Sequence, residues 1–167
     1  MTEPATTSPH PLNDEASAAR VADRVTRRGR VSWSTHPPSG TARVESQSQA
    51  FGALPVTLPE GEPDSQEATP GELLAITHAM FLAAALSERL RGAGSPANEI
   101  VVEAACTFSG RLPDRELIAV DLDVQGRVPG LDATHFRRAV EEARRESLRS
   151  AGAREDLPGE LHPRLEP

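Results

Sequence analysis

Residues 69–90 read Thr-Pro-Gly-Glu-Leu-Leu-Ala-Ile-Thr-His-Ala-Met-Phe-Leu-Ala-Ala-Ala-Leu-Ser-Glu-Arg-Leu, which is the clearest helical signal in the sequence. Thr69 is a good N-cap, Pro70 suits the first helical position, and Glu72 completes a capping box three residues after the cap. From Leu73 to Leu86 the helix is apolar on nearly every side, which predicts a helix enclosed on all sides. A chain of 167 residues has little material to enclose it alone, so the pattern favours a partner subunit.

Strands are predicted on both sides of this helix. Before it, residues 30–34 and 41–46 alternate polar and apolar side chains around a turn rich in Pro and Gly, which indicates a hairpin. Residues 49–56 form a weaker third strand, because they contain Pro and Gly. After the helix, residues 99–108 and 116–124 are β-branched or alternating, and their short connection predicts an antiparallel pair.

A second helix is predicted from Asp132, its N-cap, to Gly152. One face is apolar, and the charged residues on its other sides are interpreted as a solvated surface; the apolar face carries Phe136, Val140, Ala143 and Ser147. A short last strand is predicted at residues 160–165, where Pro163 would confine it to a sheet edge. The order of elements predicts an α+β fold with antiparallel sheets around a buried central helix.

Composition limits the classes of function. A net charge of −7 argues against binding of nucleic acid. The sequence contains no uninterrupted apolar run of 18 residues, so we expect no membrane span. No secretory signal is visible, so we expect a soluble, cytoplasmic protein without metal or other cofactor. A single cysteine, Cys106, excludes an intramolecular disulfide framework and a multi-cysteine metal site. Residues 1–25 are predicted to be a disordered tail, which leaves one domain at 26–167.

Three segments together resemble the OsmC/Ohr family of thiol-dependent hydroperoxide reductases. They are RGRVSWSTHPPSGTARVES at 28–46, ATPGELLAITHAMFLAAAL at 68–86 and VPGLDATHFRRAVEEARRESL at 128–148. The resemblance covers about 25–165 and keeps the order and spacing of the elements. It implies an OsmC-like, intertwined homodimer, in which each central helix packs at the dimer core.

The residues that the resemblance makes catalytic are absent from this chain. The first of the two family cysteines falls on Phe81 and the second falls on Ser147. The family glutamate falls on Gly71, and the family arginine falls near residues 39–40, where no arginine stands. Because peroxide reduction needs a thiolate nucleophile and a resolving thiol, we expect this chemistry to be lost.

Two side chains remain candidates for a catalytic role. His78 is either a structural histidine or a general acid/base; a metal ligand is the least favoured interpretation, since no second His or carboxylate stands at i+3 or i+4. Cys106 is interpreted as a small buried hydrophobe, with a relocated peroxidatic cysteine as the alternative.

We therefore expect an OsmC-like protein that binds a small apolar or aromatic metabolite in a pocket at the homodimer interface. The expected pocket residues beside His78 are Trp33, Thr77, Met80, Phe81, Leu82 and Ser147. The alternative is a non-redox enzyme, such as an isomerase, cyclase or lyase of secondary metabolism, with His78 as its acid/base. A residual hydroperoxide reductase that uses Cys106 is the third hypothesis.

Overall fold

The computed structural model describes residues 25–33, 40–58, 68–110 and 114–167. The predicted tail at 1–25, apart from Val25, and the turn at residues 34–39 lie outside this part of the chain. So does the side chain of Trp33, whose backbone is described.

The first sheet is antiparallel and lies at the N-terminal end. It contains β1 (Gly29–Trp33), β2 (Gly40–Ser46) and β3 (Leu54–Leu58), in the order β1-β2-β3. The predicted hairpin is therefore present. The third strand begins later than residue 49, because the backbone turns there: the Gln49 amide donates to the Ser46 carbonyl at 3.0 Å, and Gln49 has a φ of 55°. A left-handed residue cannot continue a strand.

The central helix, α1, spans Pro70–Gly92. Its predicted capping box is formed: the Glu72 amide donates to Thr69 Oγ1 at 3.2 Å, and the Thr69 amide donates to Glu72 Oε2 at 2.7 Å. These bonds satisfy two amides that the first turn would leave unpaired. They fix the start of α1 at the position that the sequence indicates.

The second sheet is longer and combines two strand directions. Strand β4 (Glu99–Ser109) pairs antiparallel with β5 (Glu116–Arg127), and β6 (Leu161–Glu166) pairs parallel with β5 at the opposite edge. Strand β5 extends three residues beyond the predicted end at Val124. Gly126 pairs with Ile100 and Leu165 in this extension, and a side chain there would collide with Phe136, whose ring atoms lie 2.5 Å from the Cβ position.

Pro163 lies in the edge strand, as predicted. The Leu122 amide donates to the Glu160 carbonyl at 3.0 Å, so the backbone groups of residues 160 and 162 face β5. The backbone of Pro163 therefore faces the open edge, where its missing N–H breaks no hydrogen bond of the ladder.

The main core lies between the second sheet and the two helices. Helix α2 spans Ala133–Ser150 behind its predicted N-cap Asp132, and it buries the predicted face. The inner face of β5, the C-terminal half of α1 and α2 supply the most enclosed apolar side chains: Leu82, Leu86, Leu90, Val120, Leu122, Val124, Phe136 and Val140. The first sheet lies outside this core. Its main contact with the core is between its strand β3 and helix α1.

Candidate functional site

One side of α1 is apolar and uncovered within the chain. Ile76 is 55% exposed, Met80 67% and Phe81 38%. Met80 and Phe81 follow Ile76 by four and five residues, so the three side chains lie on the same side of the helix, a surface that we call the α1 stripe. His78, Leu82, Leu86 and Leu90 are buried on the opposite side. The chain thus encloses one side of the central helix and leaves the other side exposed.

Helix α1 is also the one helix, within the described part of the chain, long and apolar enough to cross a membrane by length and composition. Only 22% of its apolar window is buried in the chain. Its buried side packs against β4 and α2, which is consistent with the core helix of a soluble protein. The composition of the helix is therefore explained by one face in the core and by the α1 stripe.

His78 is 3% exposed and lies on the buried side of α1. Burial lowers the pKa of His78 below its ordinary value of 6.5, because the charged imidazolium loses hydration there. Among the described residues, the ring has no hydrogen-bond partner. A buried neutral imidazole normally finds such a partner, so water, a ligand or a second subunit is left to supply it.

The two hydroxyl groups of the expected site are already engaged. Thr77 Oγ1 donates to the Leu73 carbonyl at 2.8 Å, and Ser147 Oγ donates to the Arg144 carbonyl at 2.8 Å. Ser147 is 2% exposed and has no base beside it in these bonds. Both hydroxyls therefore act as backbone-satisfied helix residues, without the geometry of a nucleophile.

The other expected pocket residues are distributed over different surroundings. Leu82 is fully buried in the main core, whereas Met80 projects outward on the α1 stripe. Phe81 lines an open groove of about 520 Å³ between α1 and α2. The lining of this groove does not include His78 or Ser147, so among the expected pocket residues that the structure describes, this groove contains Phe81 alone.

The groove beside Phe81 is half apolar and half charged. We call it the Phe81 groove; its α1 side is Phe81, Ala84, Ala85, Glu88 and Arg89, and its α2 side is Glu146 and Ser150. The apolar wall is continuous with the α1 stripe. The polar end offers carboxylates, a guanidinium and a hydroxyl, which are groups that can orient a ligand.

Arg89 is a site residue that the sequence reasoning missed. Its guanidinium donates to Glu142 Oε2 at 2.6 Å and also to Glu146, so it joins α1 to α2. The hydrogen bond from Arg138, together with the charges of Arg89 and Arg138, holds the pKa of Glu142 below its usual value. The interpretation of the α2 charges as a solvated surface was therefore incomplete. The available signal was a basic residue in the last turn of α1 and two glutamates four residues apart.

Cys106 lies on the inner side of β4 and is half-buried against the core. Burial raises the pKa of its thiol, which disfavours the thiolate. This environment is opposite to that of a reactive cysteine, which needs a lowered pKa. Within the described residues, moreover, no group of three His, Cys, Asp or Glu could hold a metal ion.

Comparison with known proteins gives different results for sequence and structure. The sequence matches no protein-family model, and no characterised protein matches it significantly in sequence. Solved structures do match. An organic hydroperoxide resistance protein from Elizabethkingia anophelis is 16% identical with a TM-score of 0.64, over 86% of this chain and 98% of that one.

Two further structures support the same fold. The OsmC-like protein from Mycoplasma pneumoniae is 11% identical with a TM-score of 0.64, over 86% of this chain and 98% of that one. A putative organic hydroperoxide resistance protein from Vibrio cholerae, with captopril bound in one of its active sites, is 15% identical with a TM-score of 0.58, over 84% and 94%. The likeness extends over almost the whole of each neighbour, so the chain described here has the OsmC-like α+β fold of the organic hydroperoxide resistance proteins.

Proposed function

We propose that this protein is a non-redox, OsmC-like homodimer that binds a small apolar or aromatic molecule in a pocket between its subunits. The observation that carries the proposal is the α1 stripe: Ile76, Met80 and Phe81 are exposed on a core helix of the chain. Contiguous apolar surface of this kind marks an interface or a ligand site. A second copy that packs its own α1 stripe against this one would cover it, as an isologous twofold contact requires.

The Phe81 groove supports a small-molecule guest. Phe81 and the two alanines form an apolar wall, and Arg89 and Glu146 form a polar end. A second subunit over the α1 stripe would convert this open groove into a closed pocket. In the Vibrio cholerae protein of this fold, one active site holds captopril, a small organic molecule.

Loss of the thiol chemistry supports the non-redox part of the proposal. The resemblance implies that the two family cysteines fall on Phe81 and Ser147, which carry no thiol, and Ser147 is buried and bonded to the backbone. Cys106, with its raised pKa, lies on a strand of the second sheet. Neither arrangement supplies a thiolate and a resolving thiol.

Light scattering and a dye titration test the proposal. We expect a mass of about 36 kDa, twice the 17.8 kDa of one chain, at micromolar concentration. The apolar dye 1-anilinonaphthalene-8-sulfonate should bind saturably. Phe81→Ala should weaken dye binding about tenfold, because an aromatic contact of roughly 1.4 kcal/mol is lost.

Val101→Ala on β4 is the control, since Val101 is an exposed apolar residue, 43% exposed, outside the Phe81 groove. It should leave the dye affinity unchanged within about twofold. A monomeric mass, or equal weakening by the two variants, would contradict the proposal.

A second candidate is the non-redox enzyme with His78 as acid/base, favoured by one observation: His78 is buried, neutral and without a partner in the described chain. A panel of aromatic metabolites, followed by mass spectrometry, tests it. An acid/base role predicts turnover that falls about a hundredfold in His78→Gln while dye affinity is kept. Saturable dye binding that His78→Gln leaves unchanged, without turnover in the wild type, supports the binding protein instead.

A further inference from the structure

A second cleft lies between α2 and the edge strand β6, apart from the Phe81 groove. Its volume is about 630 Å³. Helix α2 contributes Arg137, Glu141 and Arg144, which share one face of the helix at i, i+4 and i+7. Strand β6 contributes residues 161–164. We call this the α2–β6 cleft.

The α2–β6 cleft has more positive charge than its surroundings neutralise. Its lining holds three arginines and His162 against one glutamate, in a chain with net charge −7. Arg164 is paired with Asp123 at 3.3 Å, and His162 contacts Glu160 at 3.0 Å. Arg137 and Arg144, in contrast, have no acidic partner in the described part of the chain.

The contrast with the other α2 arginines makes this imbalance specific. Arg138 pairs with Glu142 at 3.0 Å and Arg149 pairs with Glu155 at 2.8 Å, although both are far more exposed than Arg144. Carboxylates are thus placed beside arginines outside the cleft. Within it, the only carboxylate in the lining is Glu141.

Arg144 is held in position by backbone. One of its terminal nitrogens donates to the Leu157 carbonyl at 3.4 Å, and the same nitrogen lies 3.1 Å from the Cβ position of Gly159. A Cβ at residue 159 would collide first with the Val120 carbonyl, so the backbone of β5 already requires glycine there, and the guanidinium packs beside it. The Nε of Arg144 is enclosed and without an acceptor among the described residues. The enclosed Nε is not available to a ligand, but the terminal nitrogens have four N–H groups and only one bond to the backbone, so the positioned guanidinium keeps donors for an oxyanion.

Strand β6 adds a backbone N–H donor beside the cleft and disfavours the addition of a peptide strand to its edge. The pairing of β6 with β5 leaves the backbone groups of Leu161 and Pro163 on the open edge. The Leu161 N–H is therefore free of ladder hydrogen bonds to β5, at the strand edge that borders the cleft. Pro163 has no N–H at the centre of the edge, which disfavours addition of a peptide strand and leaves the cleft to small molecules.

We propose that the α2–β6 cleft binds a small molecule through a phosphate or carboxylate group, held by Arg137 and Arg144 with the Leu161 amide. This site is independent of the Phe81 groove and of the proposed function there. Glu141 limits the positive charge, so one anionic group per cleft is expected rather than a polyanion. The bound anion would supply the negative charge that no carboxylate of the described chain places beside these two arginines.

Calorimetric titration of the full chain with inorganic phosphate, and separately with acetate, tests the proposal. At low ionic strength we expect saturable binding of at least one of the two anions, with one site per chain and a Kd of about 1 mM or tighter. Arg144→Gln and Arg137→Gln should each weaken binding about tenfold, because each removes a charge-assisted hydrogen bond. Arg137 is exposed, so its variant keeps the test valid if Arg144→Gln unfolds.

Arg138→Gln is the matched control, because it removes the same charge from the neighbouring position, where the side chain is 78% exposed and paired with Glu142. It should change the affinity by less than about twofold. Binding that is stronger for phosphate or for acetate identifies the preferred anionic group and supports the site. No saturable binding of either anion, or equal weakening by Arg138→Gln, overturns the proposal.

Discussion

The two three-stranded sheets of this protein differ in how their apolar faces are covered. In the second sheet, the inner residues Val120, Leu122 and Val124 are at most 1% exposed, under two helices. In the first sheet, Val31 is 56% exposed, although it pairs with Val44 on an apolar face. Only Ala42 and Val56 are buried among the first-sheet side chains that the structure describes.

The described part of the chain therefore covers the apolar face of only one of its two sheets. A small sheet needs a covered apolar face for its stability, and the second sheet obtains this cover from its own helices. The first sheet and the α1 stripe expose apolar residues of the same kind to the same solvent. The proposed second subunit would pack against both the first sheet and the α1 stripe.

The largest expected effect is the difference in stability lost when a phenylalanine is replaced by alanine in the main core and beside the first sheet. Phe136→Ala should lower the free energy of unfolding by roughly 3–5 kcal/mol, because Phe136 is 1% exposed and leaves a cavity. Phe51→Ala should change it by less than about 0.5 kcal/mol, since Phe51 is half exposed beside the first sheet. Urea denaturation at fixed protein concentration measures both, and equal losses would contradict the contrast.

The next effect concerns the proposed cover. Met80→Glu places a charge on the α1 stripe and should weaken dimerisation about a hundredfold, because the carboxylate would be desolvated. Amide exchange in β1–β3 should then accelerate at least about tenfold, while Val120 and Leu122 stay protected. Thr134→Glu, at an exposed position of α2, is the control for added charge. Unchanged mass and exchange in Met80→Glu would argue against a shared cover.

Two glycines sharpen the comparison at the level of packing. Gly126→Ala should cost roughly 1–3 kcal/mol, because the new methyl would lie 2.5 Å from ring atoms of Phe136. Gly52→Ala in the N-terminal region meets no atom within 4 Å and should be neutral or stabilising by up to about 1 kcal/mol. Thermal unfolding of the two variants measures the difference. A tolerated Gly126→Ala would mean that the second sheet is less tightly packed than described.

The smallest effect lies at His78, on the helix that contacts both sheets. Burial holds its folded pKa below 6.5, so the unfolded chain binds the proton more readily. Stability is therefore full above about pH 6.5 and falls as the pH drops through 6.5 towards the folded pKa, by at most about 1.4 kcal/mol per pH unit. His78→Gln should remove this slope between pH 5 and 7, whereas His162→Gln, at a half-exposed position, should keep it. Identical slopes for the wild type and His78→Gln would show that the proton does not distinguish the two states.

Local signals predicted most of the fold. The Thr69 capping box, the Asp132 N-cap, the alternation in β5 and the confinement of Pro163 to an edge are all set by residues close together in sequence. Errors arose where contacts are distant. The late start of β3 follows from the left-handed turn at Gln49, and β5 continues past Val124 because residues 125–127 pair with both β4 and β6.

Residue type and local spacing were enough to predict the elements and their OsmC-like order, and they place no cysteine at residues 81 and 147. Which side of α1 is buried depends on packing, since an almost uniformly apolar helix carries no periodic signal of its own. Packing also decided that Arg89 joins the two helices while Arg137 and Arg144 keep no acidic partner in the described chain. Charge pairing across 50 or more residues depends on how the elements pack, which no local pattern encodes.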